Sequence, residues 1–257
     1  MLRMTSKTPA RSHAVRTLHR AASALPLMAA TLLSSALFPT WTHAAPRVED
    51  SIAQRALACV GCHGPQTRAT QEGYYPRIAG KPAGYLYHQL LNFREGRRHY
   101  TLMSRLVDPL SDAYLLELAT YFSQLELPYP PHAAVPPSAA AQRGEALVMK
   151  GDPKRQIPAC VQCHGASMTG VAPDIPGLLG LPRDYLNAQL GAWRTGNRRA
   201  QSPDCMAHIA RQLTLQEVSD LSAWLSSQPV PSASHPASNL PEPLPTPCGG
   251  VTLGARP

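Results

Sequence analysis

At 257 residues the chain has room for one or two domains, and its six cysteines and 27 prolines are its distinctive composition. The formal net charge of +8 does not indicate nucleic-acid binding. Five of those charges, Arg3, Lys7, Arg11, Arg16 and Arg20, precede any acidic residue, which leaves about +3 for the remainder of the chain.

The first segment is not part of a fold. Its basic residues lead into a mostly apolar run from Ala21 to Phe38 and then into Thr42-His43-Ala44-Ala45. Basic, apolar and then small residues make a secretory signal, with cleavage expected after Ala44, so that residues 1–44 are removed. The competing reading is a retained anchor, but the run is at the lower edge of spanning length and Pro26 interrupts it. Export places the rest of the chain in the periplasm.

Residues 45–127 form the first unit. Val48 to Ala58 has helical periodicity and leads into Cys59-Val60-Gly61-Cys62-His63. Cysteines three positions apart lie on about one helical turn. Both sulfurs can then reach the two vinyl groups of one porphyrin, with the following histidine beneath the iron. CxxCH is the attachment signature of c-type haem. Further helices are expected from Tyr85 to Phe93 and from Ser111 to Leu125. The latter has Ser111 as N-cap and a stripe of Leu115, Leu118, Ala119 and Phe122.

Residues 128–137 hold five prolines and read as an extended linker. Residues 138–228 then repeat the first unit. Ser138 to Lys150 is the upstream helix, and Cys160-Val161-Gln162-Cys163-His164 is a second CxxCH. Gly180-Leu181-Pro182-Arg183-Asp184-Tyr185-Leu186 matches Gly80-Lys81-Pro82-Ala83-Gly84-Tyr85-Leu86 at an offset of 100, and the last helices, with Thr214 in place of Ser111, match at 103. Small changes of offset are small loop insertions, so a domain has been duplicated. No strand alternation is evident, and the fold class is all-α. One zinc ion held by both cysteine pairs is the bland alternative. The 98 positions between the pairs far exceed the ~15–20 of zinc ribbons, and zinc gives no reason for a histidine after each pair. Two covalently bound haem c groups are therefore expected, and their four propionates bring the net charge near −1, with no nucleic-acid partner.

The opposite axial ligand decides the chemistry. Met103 and Met206 follow His63 and His164 by 40 and 42 residues and stand at equivalent places before each last helix. They are the expected partners, giving His63–Met103 and His164–Met206 as metal ligands, with Cys59, Cys62, Cys160 and Cys163 as attachment points. Met168 is too close to His164 to reach the other face, and Met149 reads as a core residue. His99 and His208 lack counterparts and read as solvated loop residues. His–Met ligation raises the potential and closes the iron to dioxygen and peroxide. The carbonyls of Pro76 and Pro176 are the expected acceptors for the histidines' second ring nitrogens. The clusters Arg94, Arg97, Arg98 and Arg194, Arg198, Arg199 could pair with propionates, form a docking patch, or be solvated helix ends.

Residues 229–257 are a Pro-rich tail or surface wrap. Cys205 and Cys248 remain. In an oxidising compartment an even remainder suggests a disulfide stapling this tail near Met206, while ligation of the iron by Cys205 is the alternative.

On the paired CxxCH, the Gly-X-Pro-X-X-Tyr-Leu-X-X-Gln-Leu stretches, the Arg-X-Gly turns and the methionine before each last helix, the chain resembles the periplasmic dihaem cytochromes c of the cytochrome c-four group. The resemblance covers residues 48–228. It implies two tandem class I cytochrome c domains with pseudo-two-fold symmetry. It also implies a non-enzymatic single-electron carrier between a membrane quinol-oxidising complex and a terminal oxidase or reductase, a setting compatible with membrane-surface association. The alternatives are an electron-transfer subunit of a periplasmic dehydrogenase and a dihaem peroxidase. Cys205, Cys248 and the long tail depart from the family pattern.

Overall fold

The computed structural model describes residues 49–64, 75–129 and 138–252. The expected signal, residues 1–44, and most of the linker lie outside these residues. The first expected helix is divided at Ala56 into α1 (Ile52–Arg55) and α2 (Leu57–His63). α3 (Ala83–Arg94) starts after Pro82, whose extended backbone cannot continue a helix backwards. α4 (Thr101–Val107) carries Met103, and Ser111 caps α5 (Asp112–Ser123) by accepting from Tyr114 N.

The second set repeats this order. Ser138 caps α6 (Ala139–Lys150), and α7 (Cys160–His164) carries the second CxxCH. α8 (Arg183–Thr195) follows Pro182 as α3 follows Pro82, and Asp204 caps α9 (Cys205–Gln212). Thr214 and Glu217 form a reciprocal capping box at α10 (Leu215–Ser227). Gly64 and Gly165 end the two CxxCH helices at φ of 86° and 84°, where a side chain would be strained, and so turn the chain directly after each histidine. The all-α expectation meets one small exception, the antiparallel pair β1 (Gly170–Val171) and β2 (Ile175–Pro176). Two-residue strands are too short to leave an alternating pattern in the sequence.

The predicted stripes are buried. Leu115, Leu118, Ala119 and Phe122 pack with Leu86, Phe93 and Val107 between α3, α4 and α5. Val218, Leu221 and Leu225 pack with Val148, Leu186 and Leu190 between α6, α8 and α10. Helix α6 crosses α10 at Gly144, where a Cβ would lie 2.2 Å from Asp220 O. The two sets meet around an antiparallel bridge between Arg98 and Arg198. There His99 N donates to Asn197 O at 2.8 Å and Arg199 N to Arg97 O at 2.7 Å. Equivalent residues face each other, which is the signature of a pseudo-two-fold axis.

The seam and the tail are both tied down. Arg77 donates to Leu127 O and Pro128 O and stacks on the Tyr129 ring at 4.1 Å. The tail runs against the second set, with Cys205 and Cys248 joined in a disulfide. None of the helices among the described residues is long and apolar enough to cross a membrane.

Two outcomes are expected. Gly144→Ala forces α6 and α10 apart and is expected to cost about 1–3 kcal/mol in denaturant unfolding, the usual cost of overpacking. Arg155 bridges Asp152 and Glu217 and holds both carboxyls below their usual range. Lowered in the folded state, they add stability at neutral pH that is lost as the pH falls through the carboxylate range. Arg155→Gln should therefore lower the thermal midpoint more at pH 7 than at pH 3, in a pH series of calorimetric scans.

Candidate functional site

A single continuous cavity of about 880 Å³ lies between the two helical sets. Its walls include Cys59, Cys62, His63 and Met103 from one set and Cys160, Cys163, His164 and Met206 from the other. Every ligand and attachment residue expected from the sequence thus reaches this cavity. The thiols of Cys59 and Cys160 are pushed up by burial to about 11 and about 12. Among the described residues no three His, Cys, Asp or Glu side chains converge to hold a metal ion.

Both histidines are oriented alike. His63 Nδ1 lies 2.8 Å from Pro76 O, and His164 Nδ1 lies 2.7 Å from Pro176 O. A carbonyl only accepts, so Nδ1 carries the proton and Nε2 keeps its lone pair for a metal. Burial pushes both imidazoles below their ordinary pKa, against a smaller upward push from the proline carbonyls. The rings stay neutral, the form that ligates. The expected proline carbonyls are therefore the acceptors in both repeats.

Met103 lies in the first turn of α4 and Met206 in the first turn of α9, both half-buried at the cavity wall. Met168 is buried in the second core. Met149, expected in the core, is instead 43% exposed. The neighbouring Val148 takes the inward direction on α6, and one step of about 100° turns Met149 outward. His99 is exposed in the α3–α4 loop; His208 is exposed but sits on α9 rather than in a loop, beside Gln212.

The arginine clusters divide by role. Arg94 and Arg194 donate to Leu110 O and Ala210 O, holding α3 and α8 against the chain after each methionine. Arg97 is held by Asn92 and Glu95, and Arg199 reaches Gly96 O. Arg98 and Arg198 turn inward. Arg98 donates to Gln89, Gln189 and Tyr185; Arg198 donates reciprocally to Gln189, Gln89 and Tyr85. Arg198 is only 4% exposed and lies over the Trp193 ring at 3.8 Å. Burial, with Arg98 adding its charge, pushes Arg198 below its usual pKa.

Those partners are all neutral. A guanidinium pair without a carboxylate, Arg198 buried and Arg98 half-buried, is costly unless an anion meets it. Trp193 Nε1, also at the cavity wall, is buried without an acceptor. The cavity thus combines apolar walls, two lone-pair nitrogens and a seam that wants carboxylates, which is the donor set a propionate-bearing porphyrin requires. The individual arginines were visible in the sequence. Their pairing across the axis was not, because it depends on how the repeats dock.

Residues 141–229 match the cytochrome c family. The chain is 38% identical over 187 residues to the thiosulfate dehydrogenase electron acceptor of Thiomonas intermedia, covering 73% of this chain and 86% of that protein. It is 36% identical over 188 residues to cytochrome c4 of Thiocapsa roseopersicina, covering 71% of this chain and 94% of the relative. Among solved structures, the thiosulfate dehydrogenase (TsdBA) of Marichromatium purpuratum superposes with a TM-score of 0.60 at 34% identity. That match covers 67% of this chain and 36% of the longer one.

The chain belongs to the cytochrome c4 family. It is a dihaem c-type cytochrome with covalently bound haem, and it carries electrons. Its two halves are not electrically alike. Lys81 is buried, and its Nζ donates to Gly177 O at 3.1 Å, next to the Pro176 carbonyl that holds His164. Its counterpart in the second repeat is Leu181, and the counterpart of its neighbour Arg77 is Gly177. Burial, helped by Arg77, lowers Lys81 to about 8, and its charge in turn disfavours protonation of His164.

A positive charge at this place would oppose ferric iron held by His164 and so raise the potential of that haem. Lys81 is charged below about pH 8 and neutral above it. The second haem's potential should therefore fall as the pH rises through that value. In Lys81→Leu it should be lower at pH 6–7 and lack that step, as read by spectroelectrochemical titration of both haems.

Proposed function

We propose that Cys59 and Cys62 attach one haem and Cys160 and Cys163 the other, with His63 and Met103 as axial ligands of the first iron and His164 and Met206 of the second. Residues 45–127 and 138–228 are then the two haem domains, 128–137 the linker, 229–257 the tail, and 1–44 the signal that directs the chain to the periplasm. The supporting observation is the repeated geometry. Each cavity-facing histidine is locked by a proline carbonyl in the same tautomer, and each is matched by a methionine in the first turn of an equivalent helix at the same cavity.

The haem supplies reversible one-electron chemistry at iron. The protein's part is to fix the imidazoles, offer two neutral thioethers, exclude water with apolar walls and meet the propionates with Arg98 and Arg198. Filled coordination leaves no place for a substrate, so the protein works as a carrier and not as an enzyme. On the likeness to electron acceptors of thiosulfate dehydrogenase, the donor is a periplasmic dehydrogenase oxidising thiosulfate. The electrons go on to a terminal oxidase or reductase.

The test is stopped-flow reduction of the purified dihaem protein by such a dehydrogenase with thiosulfate present. Both haems should be reduced, with no reduction when the dehydrogenase is omitted; reduction by a quinol-oxidising complex alone would overturn the choice of donor. Met103→Ala and Met206→Ala should each remove one of two methionine–ferric absorption signals and open one haem to carbon monoxide. A variant that keeps both signals would exclude that methionine as a ligand.

A further inference from the structure

The duplication allows the two methionine faces to be compared position by position. Leu102 and Leu106 flank Met103; at the offset of 103 their counterparts beside Met206 are Cys205 and Ile209. Leu102 is 59% and Leu106 42% exposed, although both line the cavity. Ile209 instead packs against the second core, and Cys205 is bonded to Cys248 in the tail.

The tail makes this difference. Leu244, Thr246 and Cys248 reach the cavity, followed by Gly250 and Val251, while the intervening Pro243, Pro245 and Pro247 are exposed. Burial therefore alternates along this stretch, with every second residue inward, although the backbone bends at Pro245 and Thr246. Proline at the outward positions fixes φ and limits the conformations open to the chain.

Several anchors hold it in place besides the disulfide. Ala237 N donates to Gly170 O at 2.9 Å and Ala172 N to Ala237 O at 2.8 Å, Gly249 N donates to Pro203 O at 2.8 Å, and Thr252 N and Oγ1 reach the buried Asp174 Oδ2 at 2.8 and 2.6 Å. The first repeat is followed by the linker, of which Pro128 and Tyr129 are described.

We infer that residues 231–252 are a tethered cap over the methionine side of the second haem, so that partners exchange electrons through the first haem, across the face that Leu102 and Leu106 form. The inference rests on Met103 and Met206 being the axial ligands. Transfer between proteins weakens steeply with distance, and a polypeptide layer adds roughly 5–10 Å. Each exchange moves one electron from the reduced dehydrogenase onto a ferric iron, with no bond made or broken. The second haem then exchanges with the first across the Arg98–Arg198 seam.

The test uses the haem-loaded protein and a variant ending at Val230 with Cys205→Leu, which gives the second face the residue that the first one has. In the reduced state each axial methionine gives an upfield methyl resonance, assigned with the single methionine variants. A soluble gadolinium chelate should broaden the Met103 signal several-fold more than the Met206 signal in the full chain, and both alike in the shortened one. Equal broadening in the full chain would overturn the cap alone; absence of either resonance would overturn the ligand assignment beneath it. Leu106→Asp should slow reduction by the dehydrogenase by about tenfold, within the one to three decades that interface substitutions span. Leu215→Asp, 74% exposed on α10, should leave that rate unchanged. The opposite ranking of these two variants would place exchange elsewhere.

Discussion

Two guanidinium groups with only neutral hydrogen-bond partners, Arg198 buried and Arg98 half-buried, set the terms for the rest of this molecule. Arg98 and Arg198 meet at the pseudo-two-fold axis and share Gln89 and Gln189 as acceptors, each also reaching the tyrosine of the opposite repeat. Like charges at close quarters in a low dielectric repel strongly, and desolvation adds to the cost. Negative charge placed beside the seam would relieve that cost, and the proposed haem propionates would supply it. Cofactor attachment and domain docking would then be coupled, since the groups that close the interface would also neutralise the cofactor.

Symmetry at the axis leaves room for asymmetry away from it. Three pairs of equivalent positions carry the differences: Lys81 against Leu181, Arg77 against Gly177, and Leu102 against Cys205. The first places a buried ammonium from one domain against the carbonyl chain that orients the other domain's histidine. The second ties the linker to the first domain. The third exchanges an exposed leucine for the anchor of the tail. A duplicated carrier with identical halves would have no preferred direction; these substitutions give the halves different fields and different access.

Much of this was legible in the sequence because the signals are local. CxxCH needs only one helical turn, the caps at Ser111 and Thr214 act within three residues, and the stripes on α5 and α10 follow the helical period. The proline carbonyls were legible from the repeat, since Pro76 and Pro176 recur after each histidine. Met149 was misplaced because its helix carries a short apolar run, Ala146 to Met149, in which sequence alone does not say which residue turns inward. The β1–β2 hairpin was missed because two residues hold no period. The roles of Arg98, Arg198 and Lys81 depend on contacts with the opposite repeat, which the sequence of one repeat does not encode.

The tail shows how weak local signals become strong when combined. Its composition argues against packing, because proline and serine bury little apolar surface. Yet in Leu244-Pro245-Thr246-Pro247-Cys248 the prolines alternate with the residues that reach the cavity, so stiffness and burial are assigned to opposite sides of the same segment. The Cys205–Cys248 link spans 43 positions, and a closed loop of that size contributes about 3–4 kcal/mol in the chain-entropy model. A segment with so little core of its own needs such a contribution to stay ordered. It is available only where thiols oxidise. The same bond that orders the segment thus fixes it beside Met206, where it makes the two methionine faces unequal.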